Sequence, residues 1–239
     1  MNITPEYFYR TEILLGKEGL TNLSNKHVLI AGIGGVGGYV VENIVRAGVG
    51  KVTIIDNDVV DITNINRQII ALQQNIGKSK VIEFSQRIRE INPKINLISQ
   101  ELFIEPDNII EILADTPDYV IDCIDTVQSK LALLEYCMRN KIKVISSMGA
   151  GNRVDVTKVT IADISKTKIC ALARNIRLKL RERGLSNGLR VVYSEEQAYA
   201  KPLTNPNGGR PINGTISYLP ALFGIMLSGL VIKDLINAK

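Results

Sequence analysis

Residues 32–37 read Gly-Ile-Gly-Gly-Val-Gly, directly after the apolar run His27–Ala31 and just before a helix-forming stretch that begins near Gly38. This is a G-x-G-x-x-G fingerprint in a strand–turn–helix context. Small residues let backbone approach a phosphate, and the helix start offers unpaired N–H groups and the positive end of the helix dipole. Nineteen residues after Gly37 the next apolar run, Lys51–Ile55, ends at Asp56, an acid placed to accept hydrogen bonds from ribose hydroxyls. The pattern predicts nucleotide binding through Gly32, Gly34, Gly35, Gly37 and Asp56; the plain alternative is a tight turn with no ligand. The same fingerprint serves NAD, FAD and ATP, so other residues must choose between them.

These loops need elements to hold them in place. Short apolar runs at 27–31, 51–55, 96–100, 119–122 and 143–147 read as strands. Between them, residues 78–92 place Val81, Phe84, Ile88 and Ile91 at helical spacing and stop at Pro93, and residues 126–140 do the same through Leu131, Leu134 and Met138, with Thr126 as N-cap. Apolar strands alternating with helices predict an α/β fold. The expected form is a doubly wound, Rossmann-like, mostly parallel sheet with helices on both faces and a C-terminal extension. A single domain over 1–239 is expected, its nucleotide-binding part in 1–150. Beyond Met148 the reading is a strand at 159–163, a basic helix at 170–183, a strand at 190–193 and a long loop over 198–214 rich in Pro, Asn and Gly.

The chain has 239 residues, 45% hydrophobic and 22% charged, as an ordinary globular protein would. Its net charge of +5 is set locally. Between Lys166 and Arg190 stand eight basic residues against the single acid Glu182, which points to a polyanionic partner; a solvated helix face is the bland reading. Three unpaired cysteines (Cys123, Cys137, Cys170) and no apolar leader lead to the expectation of a reducing, cytoplasmic setting. Residues 216–232 are uncharged throughout but broken by Pro220, Gly224 and Gly229. They read as a buried C-terminal helix, membrane contact being the minority alternative.

Further residues resemble a known family. The glycine loop, Asp56 with Asp58, the N-x-x-R-Q of Asn64–Gln68, the segment Gly77–Lys80 and the turn at Asp125 stand in the order seen in the ubiquitin-activating-enzyme-like adenylyltransferases. The resemblance implies ATP as the nucleotide and transfer of AMP to a carboxylate, which makes the expected single domain an adenylating one. It further implies that Arg67 and Lys80 supply positive charge, that Asp58, Asn64 and Gln68 line the nucleotide site, and that Asp125 holds magnesium. Tyr9-Arg10-Thr11 is similar to the segment that carries an arginine into the partner subunit's site, which implies a homodimer with Arg10 acting in trans.

Within that superfamily the sulfur-carrier branch usually carries two C-x-x-C pairs for zinc, and this chain has none. Segments 146–152, 162–167, 192–196 and 213–214 instead resemble the dehydratase branch that acts on threonylcarbamoyladenosine in tRNA. That implies an adenylated threonyl carboxylate, intramolecular attack by the carbamoyl group, and net loss of water, with 151–239 facing the tRNA. Arg174, Arg177, Lys179, Arg181 and Arg183 would face the RNA if Leu172, Ile176 and Leu180 point inward. One departure stands out: Cys170-Ala171 replaces an expected Asp-Pro. The competing readings are adenylation of the C-terminal carboxylate of a sulfur-carrier or ubiquitin-like protein, a nicotinamide oxidoreductase, and a non-catalytic tRNA-binding module. A sulfur-transfer protein is a further possible partner.

Overall fold

The computed structural model describes residues 4–200, 203–204 and 212–237. Seven strands form one sheet in the order β3-β2-β1-β4-β5-β7-β6. They are β1 His27–Ala31, β2 Lys51–Asp56, β3 Asn96–Glu101, β4 Tyr119–Asp122, β5 Val144–Ser147, β6 Val159–Asp163 and β7 Arg190–Ser194. All neighbours pair in parallel except the edge strand β6, which runs antiparallel to β7. The chain builds outward through β1, β2 and β3, then returns to place β4 on the other side of β1. The strand order therefore reverses between β1 and β4, the switch point at which open α/β sheets hold ligands.

The central strands β1 and β4 are buried at every position, as strands covered on both faces must be. The helices are α1 Tyr9–Ser24, α2 Gly37–Ala47, α3 Lys80–Ile91, the single turn α4 Ile109–Ile112, α5 Val127–Arg139, α6 Ala171–Glu182 and α7 Tyr218–Ile236. Helix α2 buries Val40, Val41, Ile44 and Val45 and ends at Gly48, whose φ of 97° suits a residue without Cβ. Helix α1 is broken at Gly16 (φ 73°, ψ 168°). The seven residues before the break leave Ile13 and Leu14 in solvent, while Leu20 and Leu23 beyond it are buried.

Helix α7 buries Leu219, Pro220, Phe223, Gly224, Leu227, Ser228, Val231 and Leu235, a face that joins the main core. It lies so close to α2 that a side chain at Gly224 would stand 2.5 Å from the Val36 carbonyl oxygen. By length and composition α7 would pass for a membrane-crossing helix, yet half of that stretch is buried inside the protein. Its N-terminal turn is drawn over the glycine loop: Pro220 Cβ lies 3.3 Å from where a side chain on Gly35 would begin.

Candidate active site

Register places the site. Ala31 lies opposite both Ile55 of β2 and Asp122 of β4, so the loops leaving the three strands open at one level of the crevice. Gly32 leaves β1 with φ 80°, its N–H donating to the Ile55 carbonyl at 2.8 Å. A Cβ there would lie 3.0 Å from the Cys123 carbonyl oxygen, and one at Gly37 only 1.8 Å from the carbonyl oxygen of Gly32. Gly34 and Gly35 lie beneath the side chains of Gln68 and Arg67, with no such collision.

Both oxygens of Asp56 are engaged, Oδ2 by the Ile33 N–H at 2.8 Å and Oδ1 by the Asp58 N–H at 2.9 Å. A carboxylate retains further lone pairs for ribose hydroxyls. Burial pushes the Asp56 carboxyl above its usual range, opposed by the charge of Lys80 and by the two N–H donors. Lys80 opens α3 almost wholly buried, and its ammonium sits on Asp58 Oδ2 at 2.7 Å. Asp58 thus holds the lysine where its charge also acts on Asp56.

The N-x-x-R-Q segment, Asn64–Gln68, begins at the last residue of a 3-10 turn, Ile62–Asn64, which is capped by Asp61. Asn64 is buried, and its Oδ1 accepts from the Asp61 N–H at 3.2 Å. Arg67 lays its stem along Gly35 and donates to the Thr63 carbonyl at 2.7 Å and Asn66 Oδ1 at 3.0 Å. Burial lowers its pKa, and the charges of Asp125 and Asp61 act the other way; a guanidinium stays charged regardless. Gln68 is buried, and its Oε1 has no hydrogen-bond partner among the described residues. That acceptor, beside the glycine loop, is free to take a hydrogen bond from a bound nucleotide.

Asp125 is exposed at the turn after β4, and Thr126 Oγ1 donates to its Oδ1 at 3.4 Å. The N-cap position of α5 falls on Thr126, so Asp125 is not the cap. No group of three or more His, Cys, Asp or Glu side chains poised for a metal occurs among the described residues. A lone carboxylate fits magnesium carried in on a polyphosphate, which takes one or two protein carboxylates and fills its shell with phosphate oxygens and water.

Two further features belong to this region. The stretch before α7 straps over it: Asn66 Nδ2 donates to the Thr215 carbonyl at 2.9 Å, and Asn152 bonds Asn213 and Gly214 through its side chain and backbone. Beneath the Asp125 turn, Lys130 and Asp122 form a fully buried ion pair. Its sequence signal is a lysine on the Leu134–Cys137 stripe of α5, at helical spacing where an apolar residue is the norm.

The remaining candidates are dispersed. Arg10 is exposed on α1, and no described hydrogen bond or ion pair joins it to this site. On α6 the inward residues are Ala173, Ile176 and Leu180, with Leu172 only partly buried. Arg174 and Arg181 face solvent and Lys179 is half-buried, whereas Arg177 turns inward to donate to the Thr167 carbonyl at 2.9 Å. Arg183 pairs with Glu135 at 2.9 Å. A groove of about 750 Å³ runs between α5 and α6 past Leu131, Tyr136, Arg139, Lys179 and Arg183. All three cysteines are free. Burial raises the Cys123 thiol and pushes that of Cys137 up to about 12, which makes both inert. Cys170 is buried at the start of α6 with its Sγ facing Gly149.

Comparison with known proteins is consistent along the whole chain. The model of the ThiF family matches residues 9–239. The tRNA threonylcarbamoyladenosine dehydratase of Bacillus subtilis is 37% identical over 240 residues, covering 96% of this chain and 94% of the relative. The crystal structure of the Escherichia coli enzyme TcdA with AMP superposes with a TM-score of 0.89 at 32% identity, covering 98% of this chain and 97% of that one. The ATP complex of the same enzyme gives 0.87 at 34% identity, with 96% and 93% covered.

Proposed function

The chain belongs to the ThiF family, matched from residue 9 to its end, and from that premise we propose that it dehydrates threonylcarbamoyladenosine in tRNA at the expense of ATP. One observation carries the reading. What supports it is a chain similar over nearly its whole length to the dehydratases, with Arg67 beside the glycine loop and within reach of the Asp125 charge, and with Lys80 paired to Asp58. The sulfur-carrier alternative shares that crevice, but its usual zinc-binding C-x-x-C pairs are missing here.

The threonyl carboxylate attacks the α-phosphorus of ATP, and pyrophosphate leaves. Two anions must meet, so Arg67 and Lys80 lower the cost by neutralising phosphate oxygens at the crevice mouth. Asp125 would hold the magnesium that accompanies ATP, which would add to the neutralisation of the polyphosphate and of the leaving pyrophosphate. The carbamoyl group then attacks the activated carbonyl of the same nucleoside. AMP leaves with the former carboxylate oxygen, a proton is lost, and the ring closes with one water fewer. The attacking group is tethered already, so no protein nucleophile is required. Gln68 and Asp56 orient the nucleoside part of ATP.

Incubating the protein with magnesium-ATP and tRNA carrying threonylcarbamoyladenosine tests this, with the nucleosides read by mass spectrometry under mild conditions. The expected result is loss of one water with equal AMP and pyrophosphate. Appearance of ADP and phosphate instead would move the attack to the γ-phosphorus. AMP formation on a small carrier protein with intact nucleoside would return the sulfur-carrier reading.

The protein works as a homodimer, with Arg10 reaching the partner's site. What supports this is the apolar arm around it, where Tyr9, Ile13 and Leu14 are 63%, 68% and 83% exposed. Inactive Arg10→Ala and inactive Asp125→Ala subunits, mixed in equal amounts, should recover about a quarter of wild-type activity, since half of the dimers are mixed and each keeps one of two sites complete. No recovery at any mixing ratio would mean that Arg10 acts in cis or not at all.

The tRNA lies across α6 on Arg174, Lys179 and Arg181, with Arg183 able to exchange Glu135 for phosphate. Replacing Arg174 and Arg181 by Gln should flatten the log–log dependence of tRNA affinity on salt by roughly 0.7 for each phosphate that is no longer neutralised. An unchanged slope would leave those arginines to solvent. A cytoplasmic setting accords with the three free cysteines.

A further inference from the structure

Lys130 and Asp122 are both 0% exposed and lie 2.5 Å apart. Withdrawing two ions from water is costly, and for stability alone an apolar pair of similar volume commonly serves as well. Their bonding pattern and position are more informative than their stability. Asp122 closes β4 three residues before Asp125. Its Oδ1 accepts from the Ile124 N–H at 3.0 Å, which bends residues 122–124 into the turn that presents Asp125. Its Oδ2 accepts from Lys130 and from Ser146 Oγ, each at 2.5 Å.

The lysine holds the turn from the other side. Its backbone N–H closes the first turn of α5 on the Thr126 carbonyl at 2.9 Å. Its ammonium spends its other donors on Ser146 Oγ at 3.1 Å and the Ser147 carbonyl at 3.0 Å, so three donors meet three acceptors. Residues 122–126 are thereby clamped between α5 and the end of β5. The lysine itself has no access to the crevice.

We propose that Lys130 is a positioning residue for the reaction: it fixes the Asp122–Thr126 turn so that the Asp125 carboxylate is held ready for the cation that accompanies ATP. The inference rests on the reading of Asp125 as the magnesium-holding residue. Side chains one step behind a metal ligand typically change metal affinity or activity by 10–100-fold when lost.

The test is equilibrium binding of ATP to the full-length protein, measured once in EDTA and once in magnesium, for wild type, Asp125→Ala, Lys130→Met and Lys130→Met/Asp122→Asn. The double variant buries no charge and keeps an acceptor for Ile124, which covers the event that the single variant does not fold. Wild type is expected to bind ATP more tightly with magnesium, and Asp125→Ala to lose that gain. The lysine variants are expected to lose about 10-fold or more of it while binding ATP in EDTA as wild type does. A folded lysine variant that keeps the full magnesium gain overturns the inference. When Asp125→Ala loses the gain in the same experiment, the reading of Asp125 stands without it. When Asp125→Ala keeps the gain, that reading falls and takes the inference with it. Equal weakening in EDTA and magnesium, or a double variant that fails to fold, assigns the cluster to the core alone.

Discussion

Arg67→Ala is expected to slow pyrophosphate release by roughly 10³-fold, the lower end of what a phosphate-directed arginine contributes in related transfers. The side chain stands beside the glycine loop, where that role would require it. Its stem lies along Gly35, and its guanidinium is anchored by the Thr63 carbonyl and Asn66 Oδ1, within reach of the charge on Asp125. These anchors hold the fork at the crevice without burying it in a core, so truncation should cost only about 1 kcal/mol of stability. Arg67→Lys keeps a positive charge but not the planar fork, and should fall between the two. Single-turnover pyrophosphate release, read beside the thermal unfolding midpoint, separates the effects. Turnover in Arg67→Ala within about tenfold of wild type would remove this arginine from the transition state.

What is legible in the sequence is what is local along the chain. The apolar runs at 27–31, 51–55 and 119–122 form the three strands whose ends make the crevice, and the helices at 80–91 and 127–139 fall within the spans read from spacing. A period of two or 3.6 is set by neighbours a few residues apart, so it survives in a single sequence. The glycine loop is legible for the same reason. The strap before α7 is not: the Asn66–Thr215 and Asn152–Gly214 bonds join residues 149 and 62 positions apart, and nothing in either segment announces the other. Helical spacing points Arg177 outward, but it gives a direction only to the nearest third of a turn; the Thr167 acceptors draw the side chain in. Lys130 is hidden within an amphipathic pattern. Its place on the Leu134–Cys137 stripe points inward, but the partner that makes its burial tolerable, Asp122, sits in a different element.

The glycines of the loop are not equivalent, and substituting them one at a time separates folding from binding. Gly37→Ala places a Cβ 1.8 Å from the Gly32 carbonyl oxygen and 2.9 Å from its carbon. Neither partner can give way easily. Gly32 is pinned by its bond to Ile55 and already holds a left-handed φ of 80°, while Gly37 opens α2, whose next residues are packed in the core. The expected result is a loss of about 3 kcal/mol or more of stability, the upper range for overpacking, together with ATP binding too weak to measure by calorimetry. Gly34→Ala is different. Its Cβ would meet only the Gln68 side chain, nearest at an ordinary 3.6 Å from Nε2, so the protein itself has room for a methyl group. If that glycine exists to admit a phosphate, Gly34→Ala should unfold within about 0.5 kcal/mol of wild type and still bind ATP at least tenfold more weakly. If Gly34→Ala binds ATP normally, the phosphates do not lie over that backbone, and the crevice holds its nucleotide in another pose.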